Sequence, residues 1–209
     1  MLTAVSRAAL LALALFILGH SAVAQERGRF TGELVLKVLG DGINMQITEP
    51  FAYTDSKGIR WQVPSGTRID GASIPRSLWS IVGSPFTGLY LEASVVHDHY
   101  CETKSRHWKA VHKVFYEAML ARGVNEYQAK LMYAAVYRFG PRWNYDANAC
   151  FCLGCPACAN PKITKIKHLK PVYSKHDFDK LKELIDSSSN SLEQIEATAD
   201  YQINTTLFK

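Results

Sequence analysis

A histidine directly precedes an aspartate in a stretch that otherwise has the character of a buried helix. His97 and Asp98 follow the mostly apolar residues 93–96, and Tyr100 comes two positions later. An imidazole, with an unperturbed pKa of about 6.5, is suited to take a proton from water near neutral pH. A neighbouring carboxylate is a hard oxygen ligand for a hard cation. The pair therefore predicts metal binding or water activation, and the alternative is a hydrogen-bonded structural element at a helix end.

A second histidine, His112, favours a zinc site as another hypothesis. His97, His112 and a carboxylate from Asp70 or Asp98 would together supply nitrogen and oxygen ligands that zinc accepts. A zinc ion with an open coordination position activates water for peptide or amide hydrolysis. Aromatic residues flank His112 at helical spacing, so the alternative for this residue is a core histidine with one hydrogen bond.

The cysteines form a dense group near the C-terminal part of the chain. Their pattern is C-x-C-x2-C-x2-C, given by Cys150, Cys152, Cys155 and Cys158. In a reducing compartment this spacing is typical of zinc or an iron–sulfur centre, whereas disulfides are the default after export. Cys101 is a fifth cysteine, and a disulfide from it to the group would hold the segment after residue 150 over the His97 helix. We predict a disulfide or metal cluster at these five residues.

The first residues predict export. A short basic region ends at Arg7, an apolar run covers residues 8–18, and Ala22-Val23-Ala24 is typical of a signal-peptidase cleavage site. The run is shorter than the about 20 residues that a membrane span needs. We therefore predict a signal peptide over 1–24 and a periplasmic or secreted protein that begins near Gln25.

The charge of the chain is mildly basic. The formal net charge is +5, and the basic residues are spread along the sequence. Such a balance is typical of a solvated surface, with peripheral contact to an anionic membrane or a cell-wall polymer as the alternative. Nucleic acid is not an expected partner outside the cytoplasm. The oligomeric state does not follow from the sequence.

Strand-like and helix-like segments follow one another and predict an α+β fold. Residues 30–39, 44–54 and 59–64 carry β-branched and aromatic residues in partial alternation, which predicts a small antiparallel β-meander. Three helices are predicted over about 86–102, 106–122 and 126–139, with Ser105 and Asn125 as N-caps and glycines at the ends of the second and third. Between strands and helices, Gly and Pro within residues 70–76 predict a tight loop.

These elements define the expected domain organisation. Residues 25–145 form the α+β core domain, and residues 146–209 form a Cys-rich and helical C-terminal extension. A helix is predicted over about 175–187, capped by Ser174. The polar segment from Ser187 onwards is expected to fray.

Three motifs resemble a phage- and bacteria-associated domain family of unknown function. They are D-G-A-S-I-P-R at Asp70 to Arg76, a helix with His97-Asp98 and Tyr100, and M-Y-A-A-V-Y-R-F-G at residues 132–140. The resemblance covers about residues 45–145 and implies a fold, not an activity. Two positions depart from the family pattern: Tyr100 follows Asp98 by two residues instead of three, and His112 stands where the family has an aspartate.

The His-Asp pair is also similar to the site of the secreted and viral phospholipases A2. This similarity implies that His97 is a general base, that Asp98 holds calcium, and that Ser84 to Tyr90 is the calcium loop. In those enzymes a carboxylate from a second helix orients the histidine. Here His112 occupies that place, so Asp70 or Glu117 would have to substitute.

The preferred hypothesis is a metal-assisted hydrolase. Its leading version is a calcium-dependent acyl-ester hydrolase acting on phospholipid, with zinc-dependent hydrolysis of cell-wall peptides as the alternative. A third hypothesis is a non-catalytic binding or structural module. The candidate catalytic residues are His97, Asp98, Asp70 and Tyr100, the metal ligands are Asp98, His97 and His112, and Arg76 is a candidate anion clamp.

Overall fold

The structure is a computed structural model that describes residues 27–40, 44–69, 74, 78–79, 88–143, 172–187 and 190–207. Within these residues, small antiparallel sheets precede five helices, which confirms the predicted α+β class. The signal peptide, the loop 70–76 apart from Ile74, and the cysteines between 150 and 158 lie outside the described residues.

The strands form two sheets instead of one meander. They are β1 (Arg29–Thr31), β2 (Leu36–Val38), β3 (Met45–Ile47), β4 (Phe51–Thr54), β5 (Arg60–Val63) and β6 (Arg68–Ile69). One sheet has the order β1-β4-β5 and the other β2-β3-β6.

The division falls inside the segment 44–54, which the sequence predicts as one strand. Pro50 lacks a backbone N–H and cannot take part as a donor in a sheet ladder. β3 therefore ends before it and pairs with β2 and β6, while β4 begins after it and pairs with β1 and β5. The prediction of a single continuous meander was wrong at this point.

The helices lie close to their predicted positions. They are α1 (Leu91–Thr103), α2 (Trp108–Ala121), α3 (Glu126–Phe139), α4 (Lys175–Ser187) and α5 (Leu192–Leu207). The predicted cap of α3 is confirmed, because the Asn125 side chain accepts a hydrogen bond from Gln128 N at 2.8 Å. Ser174 caps α4 in the same way through Asp177 N. The predicted Ser105 cap of α2 was wrong: His107 accepts from Lys109 N instead.

Helix α5 occupies the segment that was expected to fray. Its sequence is largely polar, but Ile195 and Ala199 are spaced one helical turn apart and are fully buried. Its polar side chains also bond to α3, since Tyr133 Oη donates to Glu196 at 2.6 Å and Tyr137 Oη donates to Asp200 at 3.1 Å. Tertiary contacts thus order a segment whose composition alone predicts disorder.

Helix α1 is attached to the edge of a sheet through Tyr100. Its hydroxyl accepts a hydrogen bond from Gln62 N at 3.0 Å and donates to Gln62 O at 3.3 Å. The ring also packs edge-on against Trp61, with 4.9 Å between ring centroids. Because both partners belong to β5, Tyr100 fixes the position of α1 relative to the strands.

Helices α1 and α2 pack against each other, and α2 also packs against α3. No helix within the described ranges is both long and apolar enough to cross a bilayer.

Candidate metal centre

Two adjacent helices bring three potential metal ligands together. His97 and Cys101 lie four residues apart on α1, so both side chains point from the same face of the helix. His112 lies on α2, which packs against that face. Both histidines have no exposed surface, and Cys101 is 8% exposed. The three side chains therefore share one interior position between α1 and α2.

The ligand atoms of these residues are close to one another. His97 Nε2 lies 2.8 Å from His112 Nδ1, which is a hydrogen-bonding distance. Cys101 Sγ lies 3.6 Å from His97 Nε2 and 3.7 Å from His97 Nδ1. One nitrogen or sulfur atom from each residue lies within 4.8 Å of the other two. Such a group could hold a metal ion.

Two imidazoles and one thiol form a donor set suited to zinc. With Zn–S near 2.3 Å and Zn–N near 2.05 Å, tetrahedral ligation requires about 3.5 Å between sulfur and nitrogen and about 3.3 Å between nitrogens. The observed 3.6 Å separation between Sγ and His97 Nε2 agrees with this requirement. The imidazole pair would have to open by about half an ångström, since it now shares a hydrogen bond. Calcium, by contrast, is bound by oxygen ligands.

The surroundings keep both imidazoles neutral. Burial lowers the pKa of His97 to about 3. Burial also lowers the pKa of His112 well below its usual range, and the nearby His97 and Arg142 add to this effect, while the Pro141 carbonyl opposes it. The neutral form is the one that binds a metal, so neither ring needs to lose a proton near neutral pH.

Neighbouring groups fix the rings in place. Phe115 packs on His97 with 4.9 Å between ring centroids, and Trp108 packs edge-on against His112 at 5.5 Å. Gly140, directly after α3, approaches His112 so closely that a Cβ there would lie 3.2 Å from His112 Cε1 and overlap the Val136 carbonyl oxygen. The centre is therefore closed by α3 as well as formed by α1 and α2.

The structure brings together only some of the residues that the sequence singled out. His97 and His112 meet, as the zinc hypothesis requires. Asp98 is buried on α1, but its carboxylate is not part of the three-residue group. Adjacent residues on a helix point in different directions, which explains this separation. Tyr100 bonds to the backbone of Gln62, and Asp70 lies outside the described residues.

Glu117 does not supply the orienting carboxylate that the phospholipase similarity needs. It lies on α2 five positions after His112, which places it on another side of the helix. Burial, followed by the charge of Asp55, raises its pKa, so it belongs to the surroundings of Asp55 near the strands. Ser84 to Thr87 of the proposed calcium loop lie outside the described residues.

Cys101 is the candidate ligand that the sequence did not place beside His97. The spacing H-x3-C on a helix places the two side chains one turn apart, and this pattern could have identified the pair. Instead, the sequence grouped Cys101 with the C-terminal cysteines in a disulfide or metal cluster. No disulfide joins residues within the described ranges. A bond from Cys101 to the group at 150–158 stays a prediction.

Part of the chain matches the model of a known protein family. Residues 45–136 match the model of DUF1353, a family of proteins of unknown function. This range includes His97, Cys101 and His112, so the candidate centre lies entirely within the matched segment. Arg142 and the helices α4 and α5 lie beyond it.

Two curated relatives from Sinorhizobium fredii are similar to the chain. The uncharacterized protein y4jT is 43% identical over 136 residues, which is 62% of this chain and 40% of the relative. The uncharacterized protein y4iH is 44% identical over 122 residues, covering 58% of this chain and 51% of the relative. The match thus spans about half the length of these relatives or less. No solved structure gives a significant match.

Proposed function

We propose that this chain is a zinc-dependent hydrolase whose metal ligands are His97, Cys101 and His112. The observation that carries the proposal is the meeting of three ligand atoms of the type zinc prefers, within 4.8 Å of one another and inside the protein. Structural zinc sites usually have four protein ligands, whereas catalytic sites have three and keep one position open. The described residues supply three.

An open coordination position would supply the chemistry. When bound, zinc lowers the pKa of a coordinated water from about 15.7 to about 7 and makes it a nucleophile at neutral pH. The residues of this chain hold two imidazoles in the neutral, ligating form and exclude bulk water from them. An environment of low polarity strengthens the interaction of the metal with the developing negative charge of a substrate.

The proposed substrates are peptides or amides of the cell wall. This part of the proposal depends on the predicted export of the protein, since such substrates lie outside the cytoplasm. The calcium-dependent phospholipase hypothesis has less support, because Asp98 is the only carboxylate next to His97 on α1 and is absent from the three-residue group. A calcium site would need several more oxygen ligands.

The complete burial of His97 and His112 favours a second candidate, a structural zinc site that joins α1 to α2. Such a site would stabilise the fold without any activity. The two candidates differ in one respect: a catalytic centre must exchange ligands with solvent or substrate, and a structural centre need not.

The test compares hydrolysis of cell-wall peptide fragments and of a labelled phospholipid by the purified full chain. Each is measured with zinc, with calcium, and with a chelator. The proposal predicts peptide hydrolysis that the chelator abolishes, that zinc restores, and that His112→Gln removes. His99→Gln is the matched control, because His99 lies on α1 outside the centre and its ring contacts Thr67. Calcium-dependent release of fatty acid would support the phospholipase hypothesis, and zinc binding without any hydrolysis would support the structural site.

A further inference from the structure

Arg142 carries a buried positive charge beside the candidate centre. It follows α3 and is only 8% exposed. Its guanidinium lies 4.6 Å from the centroid of the Trp108 ring and 5.5 Å from that of Tyr137, and Nη2 donates to the Tyr137 carbonyl. Its Nε is buried and has no hydrogen-bond partner among the described residues. One of its donors is therefore left unused in the interior.

No carboxylate in the described part of the chain forms an ion pair with Arg142. The nearby Asp200 acts on its charge from a distance, but Asp200 Oδ2 accepts from Lys109 at 3.2 Å and from Tyr137 at 3.1 Å. Arg138 offers a contrast, since it is also buried but pairs with Asp177 at 2.5 Å. A buried charge without a partner is costly, so its retention at Arg142 calls for an explanation.

Trp108 connects Arg142 to the candidate centre. Its indole ring packs edge-on against the His112 ring, with 5.5 Å between the ring centroids, and its centroid lies 4.6 Å from the Arg142 guanidinium. The His112 ring already has a backbone hydrogen bond with Pro141. The unused donor beside the centre is therefore Arg142 Nε.

We infer that Arg142 binds a carboxylate of the substrate next to the candidate metal centre. This inference rests on the proposed function, and it narrows the substrates to peptides or amides with a free carboxylate close to the bond that is cleaved. A guanidinium matches a carboxylate in geometry and can donate two parallel hydrogen bonds to it. The bound carboxylate would neutralise the buried charge.

A structural role for Arg142 makes a different prediction. Its charge lies at the C-terminal end of α3, where helix carbonyls favour a cation, and its stacking on aromatic rings is also favourable. If these interactions are sufficient, the protein has no preference for a carboxylate.

The experiment measures binding of N-acetyl-Ala-Ala and of its C-terminal amide to the full chain by calorimetry. Both zinc-loaded and chelator-treated protein are used. The inference predicts that the acid binds at least about tenfold more tightly than the amide, since a charge-assisted hydrogen bond is worth more than about 1.4 kcal/mol. Equal binding of the two peptides, or binding of neither, would overturn it. Because this comparison uses the unmodified chain, it does not depend on the folding of any variant.

Variants of the chain test whether Arg142 causes the preference for the peptide acid over the amide. Arg142→Met should remove it, and Arg142→Lys should keep part of it because the charge remains. Arg106→Met is the matched control, since the Arg106 guanidinium lies 4.4 Å from the Trp61 ring centroid and donates to the Arg60 carbonyl of β5. A preference for the acid that persists in Arg142→Met would contradict the assignment to this residue.

The two proposals can fail separately. A preference for the acid in a protein that binds no zinc would keep the carboxylate site and reject the zinc hydrolase. Zinc-dependent hydrolysis without preference for the acid would keep the zinc hydrolase and reject the carboxylate site.

Discussion

His97 Nε2 and His112 Nδ1 lie 2.8 Å apart in an interior where neither side chain has any exposed surface. The hydrogen bond between the two rings uses one nitrogen of each ring and one shared proton. Cys101 Sγ at 3.6 Å from His97 Nε2 adds a third donor to the same position. The relationship between the two histidines is thus the basis of the candidate metal centre.

Metal removal should destabilise the protein if the centre is occupied. A ligand that binds only the folded state stabilises it by about 4 kcal/mol when present at 1,000 times its dissociation constant. We therefore expect a lower melting temperature after treatment with a chelator and recovery on adding zinc. Calorimetric scans of wild type and Cys101→Ser measure this, and the variant should respond much less. An identical response in both proteins would mean that the stabilising metal binds elsewhere.

The stability of the metal-free protein should fall as the pH is lowered. The pKa of His97 is lowered by burial to about 3 and that of His112 is also lowered, so the unfolded state, with histidine pKa values of about 6.5, binds more protons below that pH. Stability is complete above about pH 6.5 and is lost as the pH falls towards the folded pKa values, at about 1 kcal/mol per pH unit for each histidine.

Urea unfolding between pH 7 and 5 in the presence of a chelator measures this dependence. His112→Gln should reduce the slope, because one of the two groups is removed. His176→Gln is the control, because His176 is exposed on α4. A slope unchanged by His112→Gln would contradict the buried, neutral state of this ring.

Gly140→Ala should destabilise the protein. The new methyl group would overlap the Val136 carbonyl oxygen and lie 3.2 Å from His112 Cε1. Forcing extra volume into a well-packed position costs about 1–3 kcal/mol. Gly40→Ala is the control, because no atom lies within 4 Å of a Cβ at that position. Chemical denaturation of both variants tests the prediction, and an equal loss in the two would argue against close packing of α3 on the centre.

Breaking the ion pair between Arg138 and Asp177 should detach α4 from α3. The Arg138 side chain is 3% exposed and that of Asp177 is 17% exposed, so removing one partner leaves a largely buried charge. Such changes cost about 3–5 kcal/mol. Asp177→Asn should therefore increase proteolysis at α4 and lower the melting temperature, whereas Asp186→Asn, which breaks an exposed pair with Lys182, should have little effect. Similar melting temperatures for the two variants would contradict this account.

The parts of the fold that local sequence patterns control could be predicted. The apolar periodicity and the Asn125 cap define α3, and Ser174 defines the start of α4. The sheets and α5 depend on tertiary contacts. Pro50 divides a strand-like segment between two sheets, and α5 is ordered by burial of Ile195 and Ala199 and by bonds to α3. Its polar composition gave no indication of these contacts.

The candidate site was predicted in part for a similar reason. His97 and His112 could be selected because histidines in apolar helices are uncommon. Asp98 was chosen as a ligand from its position next to His97, but adjacent residues on a helix do not share a face. Cys101, one turn after His97, has the correct spacing and was assigned to the C-terminal cysteines instead. Helix geometry, applied to every residue of this segment, would have favoured Cys101 over Asp98.

The central claim is that His97, Cys101 and His112 bind zinc, and the most direct test is the zinc content of a full chain in which Cys150, Cys152, Cys155 and Cys158 are all serine. This background removes the other cysteines that could bind the metal. The account predicts one zinc per chain by elemental analysis, its loss on adding Cys101→Ser, and its retention on adding His99→Gln. A chain that holds no zinc in this background, or that keeps it after Cys101→Ser, would contradict the claim.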